Sequence, residues 1–362
     1  MCSAIFLGAI FDRHGKHKTF QYFGLAIIGA AGLWVFAHLI AIFILSAILL
    51  KIVSTGIGVS AAAAIGQSSG DKFWKFLWLS VWVWLGGMTV PIVCGFLYDS
   101  SRYTLTAGVF AIIGLGILIL GRSFNTHTPI STSPLTRWAV HKSAAKLLII
   151  PGILTPLAIY FFVQIGSEIS HIPLPDSDFD LNLKRSADHG RLGIVGRVYV
   201  LIAQLYEAYG YLALALISSI LLGFFGSIAL IKRTSPQIFL IVGFAIFCAI
   251  AALTPFLDGS WFIIFFLFGV DISVVYVITI LTYSILSQSV PPENQGVLMG
   301  LRAIIVPLVA GVWIKGIFGF LEPHLHFGDY TYFVIATILV ALLAGSIYLA
   351  RNTGFLATKK NP

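Results

Sequence analysis

The sequence predicts an all-α membrane protein with about eleven transmembrane helices, and three observations carry that prediction. Hydrophobic residues make up 58% of the 362 and charged residues only 10%. A globular chain carries roughly 25% charged residues, so this one has too few to coat a water-facing surface. The apolar stretches recur at about 20 residues, the length that crosses a hydrocarbon core of about 30 Å as a helix. The period-2 alternation of a membrane barrel is missing, which leaves helices to satisfy the backbone inside the bilayer.

Taken in order, the expected spans are Met1–Phe11, Phe20–Leu39, Ile40–Gln67, Phe76–Leu97, Thr104–Leu120, Leu147–Ile165, Glu207–Ile231, Ile238–Leu257, Trp261–Ser287, Gly296–Phe320 and Tyr332–Ala350. The first is short and ends at Asp12. It has neither the basic start nor the small-residue cleavage site of a signal peptide. Polar turns close the others, at Asp12–Lys18, Ser68–Lys72, Asp99–Arg102, Asp258–Ser260, Pro291–Asn294 and Glu322–Asp329. Residues 121–146 form a polar, Ser/Thr/Pro-rich linker between two groups of spans, with Arg137, Lys142 and Lys146 beside Trp138. A helix lying on the membrane surface is expected there. The organisation read from this is an N-terminal half over 1–120, the linker 121–146, a C-terminal half over 147–351 and a tail over 352–362.

Charge fixes the expected orientation. If the loop holding Arg13, Lys16 and Lys18 is cytoplasmic, 14 of the 22 Lys and Arg residues fall on that side, five on the other and three within spans. That is a positive-inside asymmetry, with linker and tail both cytoplasmic and the plasma (inner) membrane as the expected location. The net charge of +8 therefore belongs to topology, and no nucleic-acid partner is expected. Cys2, Cys94 and Cys248 stand apart with no CxxC pair, so neither a disulfide framework nor a zinc site is indicated. Asp176, Asp178 and Asp180 have the spacing of a calcium loop, but Leu181 holds the position that needs Gly. No metal, no cofactor and no enzymatic constellation is expected.

An internal repeat links the halves. Val90-Pro91-Ile92-Val93-Cys94-Gly95 returns as Val306-Pro307-Leu308-Val309-Ala310-Gly311, 216 residues later, in spans that correspond in a duplicated chain. Such duplications place a substrate site near the bilayer midplane. Pro91 and Pro307 permit helix bends. Gly86, Gly95 and Gly311 permit close helix approach, which suits an interface between halves or ordinary tight packing.

Gly8-Ala-Ile-Phe-Asp12-Arg13-His-Gly15-Lys16-His-Lys18 is similar to the signature loop of the major facilitator superfamily, Gly-x3-Asp-Arg/Lys-x-Gly-Arg/Lys-x-Arg/Lys. Lys51 with Gly56 and Gly58 resembles that family's helix-4 Arg and glycines. Gly86-x3-Val90-Pro91-x3-Gly95 is similar to the helix-5 motif of its antiporters, with Val90 where the motif has Gly. Pro291-Pro-Glu-Asn-Gln-Gly296 resembles the helix-10/11 turn of the drug–proton antiporter branch. The resemblance covers most of the chain and implies twelve spans, with helix 1 and the start of helix 2 lacking here. It also implies that Asp12 faces the start of helix 11 near Gly296, with Arg13 and Asp71 as charge partners. In the family such contacts hold one conformation of an alternating-access carrier.

Charge inside spans is costly and marks function. Lys51 and Asp271 are expected at similar depth. Thr55 and Gly58 share a face with Lys51, and Thr279 and Thr282 share one with Asp271. Two readings stand: an ion pair or proton-responsive pair across a central cavity, or two unrelated structural charges. Arg302 either meets an anionic substrate or contacts anionic lipid. The resemblance implies a secondary transporter of a small solute, monomeric, with protons and the bilayer as partners and proton-coupled efflux as the leading branch. Uptake or exchange of an organic anion is the alternative, favoured by three basic against two acidic residues inside spans. A transport-dead receptor or scaffold is the third.

Overall fold

In the computed structural model the described residues are 2–36, 39–83, 103–124, 136–170, 218–253, 261–308 and 329–356; every one of their regular elements is helical. They comprise α1 (Cys2–Trp34), α2 (Ile40–Gln67), α3 (residues 72–83), α4 (Tyr103–Ser123), α5 (Arg137–Leu148) and α6 (Pro151–Ser170). After these come α7 (residues 218–233), α8 (Pro236–Leu253), α9 (Trp261–Gln288), α10 (Gln295–Leu308) and α11 (Asp329–Asn352). Among the described residues four helices are long and apolar enough to cross a membrane, or five if the bent pair α5–α6 counts as one span. The expected spans Phe76–Leu97, Glu207–Ile231 and Gly296–Phe320 run into residues outside the described set.

The chain divides into two compact units, Met1–Leu154 with Tyr283–Pro307, and Thr155–Thr282 with Leu308–Pro362. In the first, α1 is two helical segments joined at one residue, Gly15, with φ 70° and ψ 171°. A positive φ is open to Gly and strained for other residues, so the expected loop Asp12–Lys18 contracts to a single non-helical position. Both α2 and α4 pack on α1. A Cβ added at Gly24 would lie 2.7 Å from the Gly114 carbonyl oxygen, and one at Gly114 would lie 2.9 Å from that of Gly24. Missing side chains at this crossing let the two backbones touch. Leu7, Phe23, Ile27 and Val53 fill the core beside it.

On α2 the buried positions are small (Gly56, Ser60, Ala63 and Gly66 among them), while Ile40, Ile44 and Ile48 of the same helix are exposed. Its ladder ends at Ser68, whose N–H donates to Ile65 O at 3.0 Å. Asp71 starts α3: its carboxylate accepts from Phe73 N–H at 2.9 Å, an N-cap that satisfies an orphan donor. Trp74, Trp78 and Trp82 form an exposed stripe, and Phe76 and Leu77 are buried.

The sequence placed one span at Leu147–Ile165, but the structure breaks the helix at residues 149–150 and starts α6 at Pro151. Proline disfavours helical backbone at the residue before it and tolerates the first helical position, so it sets the boundary that apolarity alone misses.

In the second unit, α7 crosses α9 closely. A Cβ at Gly223 would lie 3.0 Å from Ser273 Cβ, and Ser273 Oγ donates to Ile220 O at 2.8 Å. The α8 core stripe is Phe239, Leu240, Phe244 and Phe247. Cys248 Sγ of α8 donates to Leu339 O of α11 at 3.6 Å. Helix α11 closes with Gly354 at φ 66° and Phe355 N–H bonded back to Ala350 O at 3.0 Å, the glycine-terminated cap that satisfies a last-turn carbonyl.

Candidate functional site

The site of the first unit is built on the start of α10. Pro291 is extended (φ −63°, ψ 155°), Pro292–Asn294 makes one tight turn, and the α-helix begins at Gln295. The buried Gln295 side chain holds this turn, its Nε2 donating to Ser287 O and Val290 O, each at 2.8 Å. The first N–H groups of a helix have no partner within it and carry partial positive charge. Asp12 supplies one: Oδ1 accepts from Gly296 N–H at 2.7 Å and Oδ2 from Val297 N–H at 2.9 Å.

Asp12 is only 2% exposed. Burial pushes its carboxyl up to about 7; the Val297 and Gly296 amides pull the other way, and nearby Glu293 adds a smaller upward push. The two backbones meet here. A side chain added to Gly8 or to Gly296 would overlap the other's carbonyl, and a Cβ on Gly300 would lie 2.5 Å from Ala4 O. Gly8, Asp12 and Gly15 of the signature loop therefore have three distinct physical duties: contact, capping and a positive φ.

Further contacts of the same unit tie α2, α3 and α9 to this end. Gln67 Nε2 donates to Pro292 O at 2.9 Å, and Lys72 Nζ donates to Ser287 O at 2.9 Å. Partial burial, then the charge of Lys75, moves the Lys72 ammonium below its ordinary value. The Arg302 guanidinium lies 3.3 Å from the centroid of the Tyr283 ring, and that ring stacks on Phe76 at 5.1 Å and 13°. Arg302 is 4% exposed, so its charge sits on an aromatic face within the protein instead of in lipid.

The remaining signature-loop cations are spread out. Arg13 and Lys18 are exposed, and Lys16 Nζ stands 5.7 Å from the Phe124 ring. His14 is held below its ordinary value by burial first, then by Arg13 and Lys18. Asp71 is exposed and engaged at the α3 cap.

Lys51 belongs to the first unit and Asp271 to the second. Lys51 is exposed, and its carbonyl accepts from Ser54 and Thr55 hydroxyls. Asp271 is buried on the apolar helix α9, and its Oδ1 has no hydrogen-bond partner among the described residues. Thr279 and Thr282 spend their hydroxyls on Val275 O and Ile278 O of their own helix. Gly86, Pro91, Gly95 and Gly311 lie outside the described residues; Pro307 lies in the last turn of α10. Sequence reasoning missed Gln67, Lys72, Phe76, Tyr283 and Gln295. Only the Pro-Pro turn before Gln295 hinted at them.

The family model of the Major Facilitator Superfamily matches residues 1–314. The chain belongs to the major facilitator superfamily. It is an integral, multi-pass membrane protein of a transporter family. Among solved structures, the human organic anion transporter MFSD10 (TETRAN) shares the major-facilitator fold with it. The TM-score is 0.50 and the identity 14%, over 99% of this chain and 80% of that one. No curated protein matches the sequence. Within this major facilitator chain, the Asp12 contact joins the signature loop to α10 as the motif implied.

Proposed function

We propose that this protein is a secondary transporter that moves a small solute by alternating access, coupled to protons and directed outward. The observation that carries the carrier reading is the Asp12 clasp on the α10 N-terminus. It consists of a few polar contacts and glycine crossings at the end that Lys/Arg asymmetry assigns to the cytoplasm, so it can break without unfolding any helix. Proton coupling is supported by Asp271, a carboxyl buried in a span with one oxygen that has no hydrogen-bond partner among the described residues. Such a group is costly as an anion and acceptable once protonated. Lys51 is its proposed counter-charge in the transport cycle. The outward direction rests on the antiporter-like helix-5 and helix-10/11 segments.

A second reading has one supporting observation. One solved structure of this fold is an organic anion transporter, and Lys51 offers an exposed positive charge within a span, so exchange of an organic anion is the alternative.

Counterflow in proteoliposomes, with cationic dyes in one series and carboxylates in the other, separates the two. Flux of the dyes driven by an imposed pH gradient is the expected result. If a pH gradient neither drives nor alters flux, the proton coupling is wrong. Counterflow of carboxylates alone selects the anion reading, and none of either class points to a receptor or scaffold.

A further inference from the structure

The linker helix α5 has two faces of different character. Thr136 caps it, accepting from Ala139 N–H at 3.3 Å. Val140, Ala144 and Leu147 follow one another at i, i+4 and i+7 and are all buried, and α5 packs on α1. The opposite stripe holds Trp138 (79% exposed), Lys142, Lys146 and Ile149 (77% exposed). These positions are spaced at three to four residues, which puts them on one side of a helix. At residues 149–150 the chain turns through 89° before the apolar helix that follows. Bent this far, α5 does not continue the next helix as one straight span.

Chemistry narrows what such a face meets. Between Asp99 and Glu168 the sequence has no acidic residue, while Arg122, Arg137, Lys142 and Lys146 fall within or beside the linker. A stripe with lysines at its centre and a Trp and an Ile at its ends fits a headgroup layer. The lysines reach phosphate while the indole and the aliphatic chain enter the interface. A soluble acidic partner would leave the Trp and Ile in water.

We propose that the exposed face of α5 docks on anionic phospholipid headgroups, with Lys142 and Lys146 holding phosphates and Trp138 and Ile149 entering the interfacial layer. Anionic lipid beside this helix then fixes the linker against α1.

The test uses the full chain in bilayers of phosphatidylcholine mixed with phosphatidylglycerol, its native cysteines replaced by alanine. A fluorophore is placed at Trp138→Cys or, separately, at Ile149→Cys. Quenching by brominated phosphatidylglycerol is compared with quenching by brominated phosphatidylcholine. The expected result is stronger quenching by the anionic lipid from both positions. Each of Lys142→Gln and Lys146→Gln should lower that preference about fivefold, the effect of one basic residue near an anionic surface. No quenching by either lipid, or equal quenching unaffected by the lysines, overturns the proposal. Protection of the label from aqueous iodide by polyglutamate and not by anionic lipid also overturns it, and assigns the face to an acidic protein.

Discussion

Asp12 and Gly296 are 284 residues apart in sequence and 2.7 Å apart in space, carboxylate to helix N–H. That one distance closes the first unit on itself, because the signature loop ends where α10 begins. A hydrogen bond within a protein contributes about 0.5–1.5 kcal/mol net. Asp12 can accept at both oxygens whether or not it carries a proton, and a buried amide left without an acceptor costs about 1–3 kcal/mol.

Replacing Asp12 with Asn keeps one acceptor and turns an amide NH2 toward Val297 N–H. The clasp should weaken by about 2 kcal/mol, enough to change an open–closed ratio some thirtyfold. A maleimide-accessibility assay on cysteines placed along α10 should show faster labelling in the variant. Unchanged rates would leave the clasp without a gating role.

The pH response follows from the direction of the Asp12 shift. Its carboxyl stands at about 7 when buried, against an ordinary 3.8 when hydrated. The clasped form therefore binds the proton more tightly than the open one. Its stabilisation is full below about 3.8 and is lost as pH rises through about 7. Raising the pH on that side from about 6 to about 8 should increase opening, and Asp12→Asn should flatten the profile.

Glycine substitutions should separate contact from background. Gly300→Ala puts a methyl group 2.5 Å from the Ala4 carbonyl, whereas Gly58 has nothing within 4 Å. The first should destabilise by about 1–3 kcal/mol and the second should be neutral or slightly stabilising. Thermal unfolding in detergent, read on both variants side by side, checks the difference.

Tyr283→Leu removes the ring under Arg302 and leaves a buried guanidinium without its aromatic face. A loss of about 1–2 kcal/mol is expected. Tyr283→Phe keeps the ring and should lose much less. Equal losses in the two variants would mean that the hydroxyl, and not the stack, carries the effect.

Asp271→Asn should leave folding intact or improve it, since it removes a buried carboxyl whose Oδ1 has no partner among the described residues. Substrate counterflow should survive while the response to a pH gradient disappears. Lys51→Ala tested beside it reports whether the two charges act together. Retained pH dependence in both would separate them from coupling.

Much of this architecture was legible in the composition. Ile40–Gln67 is legible because its run is apolar apart from Lys51 and a few Ser and Thr, and Ser68 opens a polar turn at its end. Pro151 was legible too, but an apolar stretch continuing back to Leu147 hid the break. The Asp12 contact came from the motif resemblance, since no local pattern links residues so distant. Arg302 shows the limit most clearly. A cation in an apolar run reads as surplus charge, and only the crossing of α9 and α10 reveals Tyr283 beneath it.

The single-residue break at Gly15 has a mechanical consequence. A seven-residue loop would let the two segments of α1 drift separately, absorbing any displacement as slack. A joint of one residue leaves them little slack. A pull on Asp12 from α10 is passed at once to the segment that holds α4 through Gly24. In the proposed transport cycle, release of the two hydrogen bonds at Asp12 would therefore reach the whole of α1 and not stay within one loop.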